Sequence, residues 1–404
     1  MNFIVVALGV NVPAFREIFF EFLAWLMVAA FCALLVLTIW LWAKRRGLKL
    51  LPPQQSRQVR WTGLEIGAAF FLTRLTWPIV VSSCLFGLGF FSWLYRGDIS
   101  ANQDSWDELD KARVNLWLTV ILFPINLATV FLLFRLGSGT RAYELGFTAD
   151  QPRENLALAS FTWLAVTPVV FGINYLASWG YFELTGTKPE SHPLQQLAEQ
   201  SPSLMDAILI AVSALVVAPI WEELMFRGVV QYWLAQKDWG GHLAMGLSAV
   251  IGLGTLFSGS PEFNDFTFKA ITAKVSPILF VIAMIPGYLF LDQVLRRWIP
   301  ERKAFQAIYG AALLFGMVHS FAWPTPTPLF VLGLGLGFLA YRTQSLMGPI
   351  FVHFLFNAVA CLSLVLPQML PDWPKGSDET SASTRSVAPA TCTRVPGSRQ
   401  LRCR

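Results

Sequence analysis

Two adjacent carboxylates, Glu222 and Glu223, stand in the apolar run Val216–Val230, and Arg227 follows four residues after Glu223. On a helix Glu223 and Arg227 share a face and can pair, while Glu222 lies about 100° round and is left free to act. Two histidines have equally apolar surroundings: His319 ends the run Phe315–His319, and His353 precedes Asn357 by four residues, hence on one helical face. An ionised side chain at the middle of a bilayer costs about 2.5–3.5 kcal/mol on insertion scales. A polar group there without a partner is costly as well. Glu222, Glu223, Arg227, His319, His353 and Asn357 are therefore expected to converge. A buried carboxylate suits a general base acting on water, and imidazoles with an amide beside it could hold that water and donate to a developing oxyanion. That is the outline of hydrolysis. Glu222, His319 and His353 could equally ligate a divalent metal such as zinc. The bland alternative is a set of interhelical hydrogen bonds, each worth about 1 kcal/mol, with an ion pair that locks helix packing.

Other chemistries find little support. No HExxH and no GxSxG occurs, and Gly333, Gly335 and Gly337 lie in an apolar run with no strand before them, so they read as packing glycines rather than a phosphate cradle. The five cysteines (Cys32, Cys84, Cys361, Cys392 and Cys403) show no paired spacing for zinc or disulfides. His192 and His242 stand in polar or glycine-flanked positions and read as solvent or interface residues.

The elements that must hold these groups are membrane helices. The chain of 404 residues is 55% hydrophobic and only 14% charged, with mean hydropathy +0.53, whereas soluble domains are nearer a quarter charged. A net charge of +5 does not imply nucleic acid, because the basic residues sit in short loops between apolar runs, the pattern that sets membrane orientation. Lys44, Arg45, Arg46 and Lys49 are accordingly expected on the cytoplasmic side. The apolar start lacks the basic lead and cleavage site of a signal peptide.

The fold expected is all-α, a polytopic transmembrane bundle of about eight to ten spans. Ile18–Trp42, Leu75–Tyr95, Val114–Phe134 and Leu156–Trp179 read as the first four, with Glu65 and Arg74 on an interfacial helix before the second. The Glu222 helix should run from near Leu204 to Leu234. Leu243–Phe257, Ile278–Leu295, Ala304–Trp323, a short glycine-rich helix Phe330–Tyr341 and Met347–Leu366 follow, with Ser258–Lys274 as a polar interlude. Gly333 and Gly337 have the small-xxx-small spacing that permits close helix approach. Residues 1–150 read as N-terminal helices and loops, 151–370 as a core, and 371–404, rich in Ser, Thr, Pro and Arg, as a disordered tail.

Taken in order, Glu222-Glu223-x-x-x-Arg227, Phe315-x-x-x-His319 and His353-x-x-x-Asn357 resemble the signature of the CPBP intramembrane proteases, the family of the CAAX prenyl endopeptidases and the bacteriocin-immunity relatives. Ala218-Pro219-Ile220, Phe226-Arg227-Gly228 and the glycine repeat Gly333, Gly335, Gly337 strengthen the likeness, which covers Leu204 to Leu366. The resemblance implies a helical membrane core around a cavity and hydrolysis of peptide bonds. It assigns Glu222 as the base, with His319, His353 and Asn357 positioning water and stabilising the oxyanion, and Glu223 and Arg227 shaping the site. One departure stands out: 87 residues, 228 to 314, separate the first two motifs, where the family has a short connection and a helix.

The sequence thus predicts a multi-pass protein of the cell (cytoplasmic) membrane, an endopeptidase acting on a membrane-associated protein or peptide, with lipids as surroundings and no nucleic-acid partner. The rival reading is non-enzymatic: a scaffold or immunity protein, or a proton-coupled transporter, in which the same groups form a relay or a structural polar core. A lipid-modifying enzyme finds no nucleophile or phosphate-binding motif.

Overall fold

The computed structural model describes residues 12–45, 58–95, 106–148, 150–186, 189, 197, 203–257, 268–294, 302–369, 392–394 and 401–403. Ten long helices carry the fold: α1 Val12–Arg45, α2 Gly63–Gly87, α3 Glu108–Gly137, α4 Pro152–Thr185, α5 Leu204–Ala235, α6 Gly240–Phe257, α7 Phe268–Leu289, α8 Arg302–Met317, α9 Pro326–Thr343 and α10 Met347–Met369. Among the described residues, six helices are long and apolar enough to cross a membrane: α2 to α6, and α7 over Ile271–Gln293. Leu23–Leu35 and Met347–Leu362 are shorter apolar stretches. The chain is a multi-pass integral membrane protein of the all-α class, every described residue of its bundle elements being helical. Of the expected disordered tail, Cys392–Arg394 and Leu401–Cys403 pair as two short antiparallel strands; the remainder of 371–404 lies outside the described residues.

Helix ends follow local chemistry. Thr62 caps α2: its hydroxyl accepts the Leu64 N–H at 3.3 Å, and the Glu65 carboxylate accepts the Thr62 N–H at 2.7 Å. This capping box starts the helix at Gly63, so α2 absorbs the interfacial helix expected around Glu65 and Arg74 and ends at Gly87, short of the expected Tyr95. There Gly89, at φ 66°, turns the chain. Ser203 and Asp206 form the same reciprocal cap at the start of α5, with bonds of 3.2 and 3.1 Å. Buried Asp206 also binds Arg113 of α3 at 3.2 Å, which ties the two helices together. The expected polar interlude is shorter than the sequence suggests, because α7 is already helical at Phe268.

Wide π-helical turns interrupt α2 at Leu72–Thr76 and α5 at Ser213–Val217, just before Pro78 and Pro219. A proline inside a helix lacks an N–H, and its ring clashes with the carbonyl four residues back. Opening one turn relieves that clash and rotates everything beyond it.

The core sits where α8 packs on α6 and α9, and where α4 supports α9 and α10. Gly333 lets α9 approach α8 closely, since a Cβ there would lie 3.0 Å from the Ala312 Cα. At Gly337 a Cβ would come 2.7 Å from Gln231 Oε1. Gln231 Nε2 donates to the Gly337 carbonyl at 2.9 Å, and the Tyr232 hydroxyl donates to the Ala340 carbonyl at 2.8 Å, so α5 is fastened along α9. The expected glycine packing is present.

Candidate active site

Five of the six sequence-selected residues meet at one place. Glu223 and Arg227 occupy successive turns of α5, and the Arg227 guanidinium donates to Glu223 Oε1 at 2.9 Å. Both are fully buried, and Arg227 Cζ also lies 4.3 Å from the centre of the Phe315 ring. His353, brought in by α10, places Nδ1 2.8 Å from the same Glu223 oxygen. A carboxylate only accepts, so Nδ1 carries the hydrogen there.

His319 reaches the site differently. The sequence placed it inside a span, but α8 ends at Met317 and His319 belongs to the tight turns before α9. The proline-rich stretch Pro324–Pro328 begins a new helix and leaves the chain only a few residues in which to turn. His319 Nδ1 donates to the Phe315 carbonyl at 2.8 Å, which fixes the ring over the end of α8.

Both Nδ1 atoms are thus occupied, and both Nε2 atoms face Glu222. The separations are 3.8 Å from His319 Nε2 to Glu222 Oε1 and 3.9 Å from His353 Nε2 to Glu222 Oε2. Such orienting contacts fix which ring nitrogen is available for chemistry. Glu222 keeps 17% side-chain exposure where Glu223 has none. One carboxylate is therefore structural and the other is open to a ligand.

The sixth residue does something else. Asn357 Nδ2 donates to the Ala214 carbonyl at 2.7 Å, in the wide turn of α5. The Ala218 N–H there bonds to the Ser213 carbonyl, and the next residue, Pro219, has no N–H to offer. Ala214 would be left with an unpaired acceptor, and Asn357 satisfies it.

The donor set of Glu222, His319 and His353 is of a type that binds zinc, but its spacing is not. Zinc bonds of about 2.1 Å set tetrahedral ligand atoms roughly 3.4 Å apart. Among the described residues no group of three His, Cys, Asp or Glu has metal-site spacing.

Glu222 and His319 line a cavity of about 590 Å³, together with Phe226 and Val318. Its other walls include residues that the sequence did not single out as site residues: Phe70 and Arg74 from α2, Asn115 and Thr119 from α3, and Ser213 from α5. Arg74 within an apolar span was the available signal. Ser213 gave none, for its position depends on the wide turn.

No curated protein and no solved structure matches this chain. A family model does, in two segments, residues 204–293 and 287–359, described as type II CAAX prenyl endopeptidase Rce1-like. The matched portion contains all six site residues and runs through the long connection between the first two motifs. The segment Leu204–Val359 of this membrane protein is thus similar to the Rce1-like type II CAAX prenyl endopeptidases.

Proposed function

We propose that this protein is an intramembrane endopeptidase of the cell membrane that hydrolyses a peptide bond of a membrane-associated protein or peptide. In this reading residues 151–370 form the catalytic core. The observation that carries it is the single carboxylate of Glu222 facing two imidazole Nε2 atoms, each ring already committed at Nδ1, beside a cavity that Glu222 and His319 line.

A water bound between Glu222 and His319 donates one hydrogen to the neutral Nε2 of His319 and the other to the Glu222 carboxylate. As its oxygen attacks the scissile carbonyl carbon, Glu222 takes the proton. His353 in its protonated form, held by Glu223, offers Nε2–H to the developing oxyanion. The C–N bond then breaks, and Glu222 passes its proton to the leaving amine. With His353 protonated, two carboxylates face two cations, so the buried site is neutral before attack. Arg227 neutralises the fixed charge of Glu223, and Asn357 acts by holding the backbone of α5 in place. No step is routed through a metal, because the spacing does not close around one.

The test is Glu222→Gln, which keeps shape and removes the base. Peptide processing by the purified protein in liposomes should fall by about a hundred- to ten-thousand-fold, the usual contribution of a general base, with thermal unfolding unchanged. A scaffold would keep its function in this variant. A proton-coupled transporter would instead show pH-driven solute flux in the wild type without cleavage.

A further inference from the structure

Ser213 is 4% exposed, and its hydroxyl has no hydrogen-bond partner among the described residues, yet it lines the cavity that contains Glu222. A hydroxyl in that state has given up its hydration without replacement, which is costly unless a ligand restores the bond. In an unbroken α-helix nine residues turn the chain through about two and a half revolutions, which would put Ser213 on the face opposite Glu222. The wide turn over Ser213–Val217 swings it to the cavity side. Pi-helical turns of this kind are frequent at functional sites.

Two residues of α3 join it. Asn115 and Thr119, one helical turn apart, line the same cavity. The Thr119 hydroxyl donates to the Asn115 backbone carbonyl at 2.7 Å, so its oxygen lone pairs remain free to accept. The Asn115 amide can donate and accept, as can Ser213. None of the three is charged.

We propose that Ser213, Asn115 and Thr119 form a specificity subsite for a neutral hydrogen-bonding side chain of the substrate peptide (Ser, Thr, Asn or Gln), about four residues from the cleaved bond. This rests on the protease reading above. Nine helical residues rise about 13 Å, and an extended peptide covers that distance in about four residues at 3.3–3.6 Å each. The cavity wall therefore measures out one position along the substrate.

The full chain in liposomes is given a randomised 14-residue peptide library, and the products are sequenced by mass spectrometry for wild type, Ser213→Ala and Glu222→Gln. Wild-type products should be enriched in Ser, Thr, Asn or Gln at one position about four residues from the cut. In S213A the ratio of polar to apolar residues there should fall to the library frequency. Removing an unsatisfied hydroxyl should leave thermal unfolding unchanged or raise it, so a lost preference cannot come from misfolding. Enrichment kept in S213A, cleavage without any polar preference, or a preference for Asp or Glu directed by Arg74 each overturns the subsite alone. Wild type that cleaves no peptide, or cleavage undiminished in E222Q, overturns the protease reading as well.

Discussion

His353 Nδ1 stands 2.8 Å from Glu223 Oε1, the same oxygen that receives the Arg227 guanidinium at 2.9 Å. One buried atom therefore sets both the tautomer of an imidazole and the partner of a cation. Its neighbour in sequence, Glu222, touches neither group at hydrogen-bond distance. The two glutamates should consequently fail in different ways when neutralised.

Glu223→Gln leaves Arg227 buried beside a neutral amide. Breaking a buried pair by removing one partner costs about 3–5 kcal/mol. Thermal unfolding in detergent should show that loss, and processing should fall with it. Glu222→Gln should lose processing with unfolding unchanged. Equal destabilisation by the two variants would refute the division of labour.

His319→Ala removes one ring that faces Glu222 but no group on which the buried Arg227 pair depends. Processing assays should show a loss comparable to that of Glu222→Gln, while the unfolding temperature moves less than in Glu223→Gln. Full processing in His319→Ala would remove this imidazole from the mechanism.

Asn357→Ala strips the partner from the Ala214 carbonyl, and an unsatisfied buried acceptor costs about 1–3 kcal/mol. Pro219→Ala returns an N–H to the turn, so the same substitution should cost less in that background. A double-mutant cycle on unfolding free energy checks the coupling. Additive effects would mean that Asn357 holds something other than the proline-freed carbonyl.

Gly337→Ala puts a methyl 2.7 Å from Gln231 Oε1 and 3.0 Å from the Ile308 side chain. Overpacking of this kind typically costs about 1–3 kcal/mol. Gly246→Ala meets nothing within 4 Å and is the control. Unfolding of the two variants side by side should separate them clearly.

The helical membrane architecture was legible from apolar runs broken by basic loops, and α5 was placed to within a residue because its boundaries follow the cap at Ser203 and the end of an apolar stretch. The convergence of Glu222, Glu223, Arg227, His319 and His353 followed from the cost of isolated polar groups in lipid. What the sequence hid were the consequences of proline. The 3.6-residue period assumes an undisturbed helix, so it offers no reason to single out Ser213, and it kept His319 in a span that ends two residues earlier. Asn357 was assigned to the oxyanion because nothing in its own surroundings reveals that Pro219, on another helix, leaves Ala214 in need of a donor. Arg74 was read with Glu65 as part of an interfacial helix, because a lone cation beside an apolar run marks a membrane edge as readily as a cavity rim.

The cavity draws Phe70, Arg74, Asn115 and Thr119 from α2 and α3, while the imidazoles and carboxylates come from the segment 204–359. Asn115 and Thr119 of the proposed subsite thus lie on a stretch of polypeptide separate from the proposed reacting groups, and only Ser213 shares theirs. In the proposed protease, exchanging the first 150 residues would replace two of the three subsite groups while leaving Ser213 and every proposed reacting group in place.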